Sequence, residues 1–122
     1  MNKLILLLLL PLNIIAQEFV SSSSFDSKTA KGITVVEFWA EWNKSNEVSF
    51  LKDLKDCNSY KICIVKNNDV QREYKVMAIP TVIILDNGVE LQRFNPNIMM
   101  QLAATKKEIQ SAIDEITLNK FQ

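Results

Sequence analysis

The stretch that decides the fold is VVEFWAEWNKSN, residues 35–46 of a chain of 122. Its first half continues a β-branched and aromatic run that begins at Ile33, a pattern typical of a strand buried on both faces. Its last four residues, 43–46, are polar and begin with Asn43, a residue type favoured at helix N-caps. The stretch therefore predicts a buried strand that runs directly into the start of a helix.

Glu37 is the one charged residue in this predicted strand, residues 33–40. By strand parity it shares a face with Val35 and Trp39 and points toward the region under the following helix. Because an unpaired buried charge is costly, we expect a lysine to satisfy Glu37. Lys61, on the neighbouring predicted strand, is the candidate.

The remaining hydrophobic patterns predict an alternation of strands and helices. A helix from Asn43 is indicated by Phe50, Leu54 and Cys57 at i, i+4 and i+7. The other predicted strands are residues 18–20, 60–65, 82–85 and 89–94. The other predicted helices are residues 21–30, 67–74 and 105–116. A helical turn or two is also predicted at residues 98–102. The resulting order, βαβαβαββα, is an α/β layered design.

Two local signals predict a hairpin and a helix start in the second half of the chain. Asn87-Gly88 lies between two β-prone runs, and this pair favours a two-residue hairpin turn because both positions need φ > 0. Thr105 and Glu108 have capping-box spacing. The apolar residues that follow them at helical spacing are Ile109, Ala112, Ile113 and Ile116.

Composition excludes several function classes. The formal net charge is zero, with 14 basic and 14 acidic residues, so neither a nucleic acid nor an anionic membrane surface is indicated as a partner. The chain has no histidine, which disfavours zinc sites and nucleophile–histidine pairs. We therefore expect no metal and no cofactor.

The first sixteen residues resemble a secretory signal: Lys3 precedes a leucine-rich run, and Ala16 precedes a plausible cut. An uncleaved anchor is the alternative, but Pro11 and Asn13 interrupt an apolar run shorter than the ~20 residues that span a bilayer. The predicted domains are thus residues 1–16, a signal, and residues 17–122, one periplasmic or secreted domain with no membrane contact after cleavage.

Two motifs in this chain resemble those of the thioredoxin family: VVEFWAEW at residues 35–42 and YKVMAIPT at residues 74–81. The resemblance implies the thioredoxin fold, an α/β fold with a mixed central sheet flanked by helices. It also implies that Pro80 is cis and that the backbone of Ile79 pairs with an extended peptide.

The chain departs from the family at the redox box, where the resemblance implies two cysteines. Asn43 and Asn46 occupy these positions and can neither attack a disulfide nor resolve one. Asn43 is instead expected to cap the following helix. Glu37 stands where the family has a buried acid, and without thiols its expected role is structural.

Cys57 and Cys63 are the only cysteines. The leading interpretation is that both are small buried hydrophobes. A disulfide between them is the second interpretation, since the predicted compartment is oxidising. A displaced redox pair is the third.

An apolar cluster follows the predicted hairpin and consists of Ile98, Met99, Met100 and Leu102. Core packing is its expected role, and an adaptable methionine-rich surface is the alternative.

The function predicted from these observations is a redox-inactive binding module. Trp42, the Asn43–Asn46 segment, Ile79 and Pro80 would form a groove for an unidentified protein or an extended peptide. The alternatives are a thiol-disulfide oxidoreductase that uses Cys57 or Cys63 and a structural assembly subunit.

Overall fold

Five strands form one mixed sheet in a computed structural model that describes residues 17–121. The predicted signal, residues 1–16, lies outside the described residues. The strands are β1 (Phe19–Val20), β2 (Ile33–Trp39), β3 (Asn58–Cys63), β4 (Thr81–Asp86) and β5 (Val89–Phe94), and the helices are α1 (Ser22–Thr29), α2 (Asn68–Glu73) and α3 (Lys106–Asn119). The order across the sheet is β1-β3-β2-β4-β5.

The sheet is parallel in one half and antiparallel in the other. β3 pairs in parallel with both β1 and β2, whereas β2–β4 and β4–β5 are antiparallel. β2 and β4 are the most deeply buried strands, which agrees with their unbroken apolar sequences. The predicted thioredoxin-type α/β sheet is confirmed.

Alternate residues of the central strands pack into two cores. One core joins Val36 and Phe38 to Phe25 of α1 and Val70 of α2. The other joins Val35 and Val82 to Ile109 and Ile113 of α3 and to Leu51. The sheet is thus covered on both faces.

The two local signals in the second half of the chain are confirmed. Asn87 and Gly88 have φ values of 50° and 82°, the conformation that the two-residue hairpin requires. Thr105 accepts a hydrogen bond from the Glu108 N–H at 3.2 Å and is the N-cap of α3, which is the Thr105 half of the predicted capping box.

The amphipathic helix predicted from Asn43 to Cys57 is wrong. Two short 3₁₀ segments, Glu41–Asn46 and Leu51–Asp53, occupy this part of the chain. An α-helix would use the Val48 N–H on the Lys44 carbonyl, but Val48 donates it to Glu37 Oε2 at 3.1 Å. The second predicted α element is therefore absent, and β2 connects to β3 without an α-helix.

The helical turns predicted near residues 98–102 are also wrong. The Asn97 side-chain oxygen accepts from the N–H groups of Met99, at 2.9 Å, and Gln101, at 3.0 Å. Met100 has φ of 59°, and Pro96 and Leu102 form an isolated β-bridge. These contacts close residues 97–101 into a turn, which we call the Asn97 turn.

Candidate functional site

Asn43 joins three separate segments of the chain. Its Nδ2 donates to the main-chain carbonyl oxygen of Met100 at 3.1 Å and to that of Ile79 at 3.4 Å. Asn43 is buried within the 3₁₀ segment Glu41–Asn46, whose N-cap is Ala40. The predicted helix-capping role is therefore wrong, because the side-chain amide donates hydrogen bonds to the cis-proline loop and to the Asn97 turn instead.

Asn46 fixes the orientation of the Asn43 amide. Asn46 Nδ2 donates to Asn43 Oδ1 at 2.9 Å. The Asn43 oxygen therefore accepts from Asn46, while its nitrogen faces the two carbonyl groups. The two box positions thus form one hydrogen-bonded unit that contains no thiol.

The Ile79–Pro80 peptide bond is cis and lies directly against this unit. Both residues are buried, and Ile79 is only 2% exposed. Within residues 17–121 the Ile79 N–H makes no hydrogen bond, and its carbonyl accepts only the 3.4 Å bond from Asn43. The space between Asn43, Asn46 and Pro80 is too narrow to hold a water molecule.

Large apolar side chains are exposed on the three segments that Asn43 joins. They are Trp42 at 63% exposure, Met77 at 92%, Ile98 at 97% and Met99 at 68%. We call these four residues the apolar rim. The expectation that residues 98–102 pack in the core is wrong for Ile98 and Met99, since the Asn97 turn points them outward. Met100 and Leu102 are half-buried against the core.

Glu37 and Lys61 are buried together, as expected from their positions in the sequence. Lys61 Nζ lies 3.6 Å from Glu37 Oε1 and 2.7 Å from Glu47 Oε2. Glu47 Oε2 also accepts from the Trp39 indole N–H at 3.0 Å. The lysine thus serves two carboxylates, and the shorter contact is to Glu47.

The two carboxylates have opposite pKa shifts. Burial raises the pKa of Glu37 from 4.5 to about 7, although Lys61 and the Val48 N–H oppose this shift. The hydrogen bond from Lys61 lowers the pKa of Glu47. The effect of burial on the pKa of Glu37 exceeds that of the 3.6 Å ion pair with Lys61. This carboxyl group therefore takes up a proton near neutral pH.

The two cysteines are free and half-buried, so the second interpretation, a disulfide, is wrong, and the leading one, full burial, is not met by either residue. Cys57 directly precedes β3 and Cys63 ends it, so six residue steps of extended chain separate them by about 20 Å. A disulfide requires Cα atoms within about 7 Å. Cys57 also does not lie on a helix, because the predicted helix is absent.

Cys57 is poorly suited to thiol chemistry. Burial raises its pKa to about 11, and the nearby Asp56 adds to the effect. The thiolate is the reactive form, so little of this residue is reactive at neutral pH.

Among residues 17–121, no three histidine, cysteine, aspartate or glutamate side chains cluster in a way that could hold a metal ion. No helix in this part of the chain is long and apolar enough to cross a membrane.

Sequence reasoning missed three contributors to the site. Glu47 was missed because its contacts depend on the chain leaving a helical path at that residue, where ψ is 151°. Met100 contributes only its main-chain carbonyl, which no side-chain pattern reveals. Met77 lies inside the second motif, and nothing in the motif indicates that its side chain is exposed.

No family model matches the chain. Several curated thioredoxins are similar to it. The thioredoxin of Chlamydia pneumoniae is 32% identical over 82 residues, which cover 62% of this chain and 80% of that protein. The thioredoxin of Staphylococcus epidermidis is 34% identical over 76 residues, which cover 57% of this chain and 73% of that protein. The thioredoxin of Bacillus subtilis is 28% identical over 96 residues, which cover 70% of this chain and 92% of that protein.

A solved structure agrees with these sequence relatives. A point mutant of the thioredoxin from Halobacterium salinarum NRC-1 superposes with a TM-score of 0.66 over 84% of this chain and 95% of that one. At 18% identity, this likeness bears on the fold alone.

Proposed function

This chain belongs to the thioredoxin family, and we propose that it binds an extended segment of a partner protein without exchanging disulfides. The binding site is the cis-proline loop, the Asn43–Asn46 unit and the apolar rim. We further propose that the mature protein begins near Gln17 and acts in the periplasm or outside the cell.

The residues at the box support the proposed absence of disulfide exchange. A thiolate must attack the substrate disulfide and a second thiol must release the product. Neither asparagine can carry out either step. Cys57 and Cys63 lie too far apart to act as a displaced pair, which weighs against the oxidoreductase alternative.

The observation that carries the proposal is the main chain of Ile79. Its N–H makes no hydrogen bond within residues 17–121, and its carbonyl oxygen has one lone pair beyond the bond from Asn43. An extended peptide would pair with these two groups as an added strand does, and because Ile79 is only 2% exposed it must displace neighbouring atoms to reach them. The apolar rim around Ile79 would bury the side chains of that peptide.

Methionines suit such a rim because their unbranched side chains adapt to differently shaped partners. Trp42 supplies a large and rigid contact of the kind that dominates binding energies. The proposed site thus combines a fixed main-chain contact at Ile79 with adaptable side-chain contacts.

The test is peptide selection on the mature protein followed by affinity measurement. We expect Trp42→Ala and Met77→Ser each to weaken a selected peptide about tenfold or more. Val89→Ser is the matched control, because Val89 is 61% exposed on β5, away from Asn43. Equal affinities for all four proteins would contradict the proposal and favour a structural assembly subunit.

The compartment is tested separately. Intact mass and N-terminal sequencing of the protein from an envelope fraction should give a chain that starts at Gln17. A chain that retains residues 1–16 would contradict signal cleavage, and recovery only from the cytoplasmic fraction would contradict the proposed location.

A further inference from the structure

All three methionines within residues 17–121 lie beside the proposed peptide groove. Met77 is two residues before Ile79, and Met99 and Met100 belong to the Asn97 turn. The amide of Asn43 bonds to both segments. The described part of the chain thus gathers its thioether sulfurs at one site, although methionine is among the residues most often buried in protein cores.

These three side chains differ in exposure. Met77 is 92% exposed and Met99 is 68% exposed. Met100 is half-buried against the core that contains Val36 and Phe38. An oxidant in the solvent therefore reaches Met77 and Met99 freely and finds Met100 partly covered.

Exposed thioethers react with two-electron oxidants such as hydrogen peroxide. The sulfur attacks one peroxide oxygen, an S–O bond forms as the O–O bond breaks, and the other oxygen leaves as water. The product, methionine sulfoxide, is polar where the thioether was apolar. Methionine sulfoxide reductases reverse the step: two thiols become a disulfide, and the sulfoxide oxygen leaves as water.

The two cysteines are poorer targets for such an oxidant. Cys57 and Cys63 are both half-buried. Burial also raises the pKa of Cys57 to about 11, so little of its reactive thiolate is present at neutral pH. Met77 and Met99 are therefore the most exposed sulfur-containing residues in the described part of the chain.

The main chain holds both exposed methionines at the groove. The Met99 N–H donates to Asn97 Oδ1 at 2.9 Å. Next to Met77, the Val76 N–H donates to the Gln71 carbonyl at 3.0 Å, and Gln71 Nε2 donates to the Val76 carbonyl at 3.2 Å. A peptide that packs apolar side chains here would bury the sulfoxide oxygens without hydrogen-bond partners, which weakens binding.

From this arrangement we propose that Met77 and Met99 are modification sites: their oxidation to sulfoxides prevents peptide binding, and their reduction restores it. The apolar rim is thus a reversible redox switch made of thioethers. This inference rests on the proposed function and adds its regulation.

The test treats the mature protein with hydrogen peroxide, removes the peroxide, and measures the affinity of a peptide selected on untreated protein. Mass spectrometry of protein fragments should find one added oxygen on Met77 and one on Met99, with Met100 unmodified. The peptide should bind the treated protein about tenfold more weakly or worse. Methionine sulfoxide reductases for both sulfoxide epimers should restore the affinity.

Two variants identify the residues responsible, each compared with its own untreated form. Met77→Leu combined with Met99→Leu keeps an apolar rim that peroxide cannot oxidise, so its affinity should be the same before and after treatment. Met100→Leu is the matched control. It retains both target sulfurs and should lose affinity on treatment as the wild type does.

The outcomes separate this inference from the proposed function. If no selected peptide binds the untreated protein, the proposed function itself is contradicted. If a peptide binds, equal affinity for protein that carries both sulfoxides would overturn the switch alone. So would an equal loss in the Met77→Leu and Met99→Leu double variant, a loss that persists after the sulfoxides are reduced, or oxidation of Met100 ahead of Met77 and Met99.

Discussion

The side-chain amide of Asn43 donates to the main-chain carbonyl oxygen of Met100 at 3.1 Å, across 57 residues of sequence. This bond and its companion to Ile79 tie the Asn97 turn and the cis-proline loop to the position where the family carries its nucleophile. An asparagine there is thus a structural cross-link in this protein. It shapes the proposed peptide groove.

Asn43→Ala should destabilise the fold by about 1–3 kcal/mol, because it leaves the Met100 and Ile79 carbonyl groups without their donor. Urea denaturation monitored by circular dichroism measures the free energy of unfolding. Ser45→Ala, at an exposed position in the same 3₁₀ segment, is the control and should change it by less than about 0.5 kcal/mol. Equal effects of the two substitutions on the free energy of unfolding would show that the hydrogen bonds of Asn43 do not stabilise the fold.

Glu37 should make the protein less stable as pH rises from about 4.5 to 7. Its pKa is about 7 in the fold against 4.5 as the ordinary value, so in this window the folded state binds more protons than the unfolded state. The free energy of unfolding therefore falls with rising pH, by at most about 1.4 kcal/mol per pH unit. Above pH 7 this contribution is constant.

Glu37→Gln isolates that contribution, because both proteins keep Lys61 and Glu47. Glu47 has a lowered pKa, so its opposite contribution is lost only as pH falls through its own titration. The stability of wild type minus that of Glu37→Gln, from urea unfolding at several pH values, should decrease between pH 4.5 and 7. Parallel stability curves would contradict a raised pKa at Glu37.

The two cysteines should remain thiols in protein purified without reductant. The intact mass should be identical with and without reductant, because about 20 Å separates the two positions. Alkylation of Cys57 by iodoacetamide at pH 8 should also be slow in folded protein and fast in urea, since its pKa is about 11 in the fold. A mass lower by two hydrogens before reduction, or equally fast alkylation in both states, would contradict this account.

Asn43→Cys combined with Asn46→Cys should create disulfide reductase activity. The two side chains already touch, with Asn46 Nδ2 2.9 Å from Asn43 Oδ1, so thiols placed there lie close enough to form and resolve disulfides. Insulin reduction driven by dithiothreitol measures the gain. Wild type and the single variant Asn43→Cys, which lacks a resolving thiol, should show no turnover above background. A correctly folded double variant without activity would mean that the groove no longer presents substrates to these positions.

The strands and the last helix were predictable because their signals are local. Continuous β-branched runs mark β2 and β4, Asn87-Gly88 marks the hairpin, and Thr105 marks the start of α3. The backbone hydrogen bonds of these elements are made within the element itself or with the adjacent strand. Tertiary contacts do not compete with them.

The segment after β2 was not predictable because tertiary contacts take its backbone donors. Glu37 accepts from the Val48 N–H, and Gln110 accepts from the Lys55 N–H at 2.8 Å. The residues buried there are Val48, Leu51 and Leu54, which are three apart and fit the 3₁₀ period better than the α-helical one. The spacing of Phe50, Leu54 and Cys57 masked that pattern. The cross-link from Asn43 was hidden for a similar reason, since its acceptors are main-chain atoms of distant residues.

The central claim is that a partner pairs with the main chain of Ile79, and nuclear Overhauser effects to its amide proton test this most directly. In the complex with a selected peptide, we predict effects between the Ile79 amide proton and backbone protons of the peptide, as in paired strands. A saturated complex without such effects, with peptide contacts confined to other surfaces of the protein, would contradict the account.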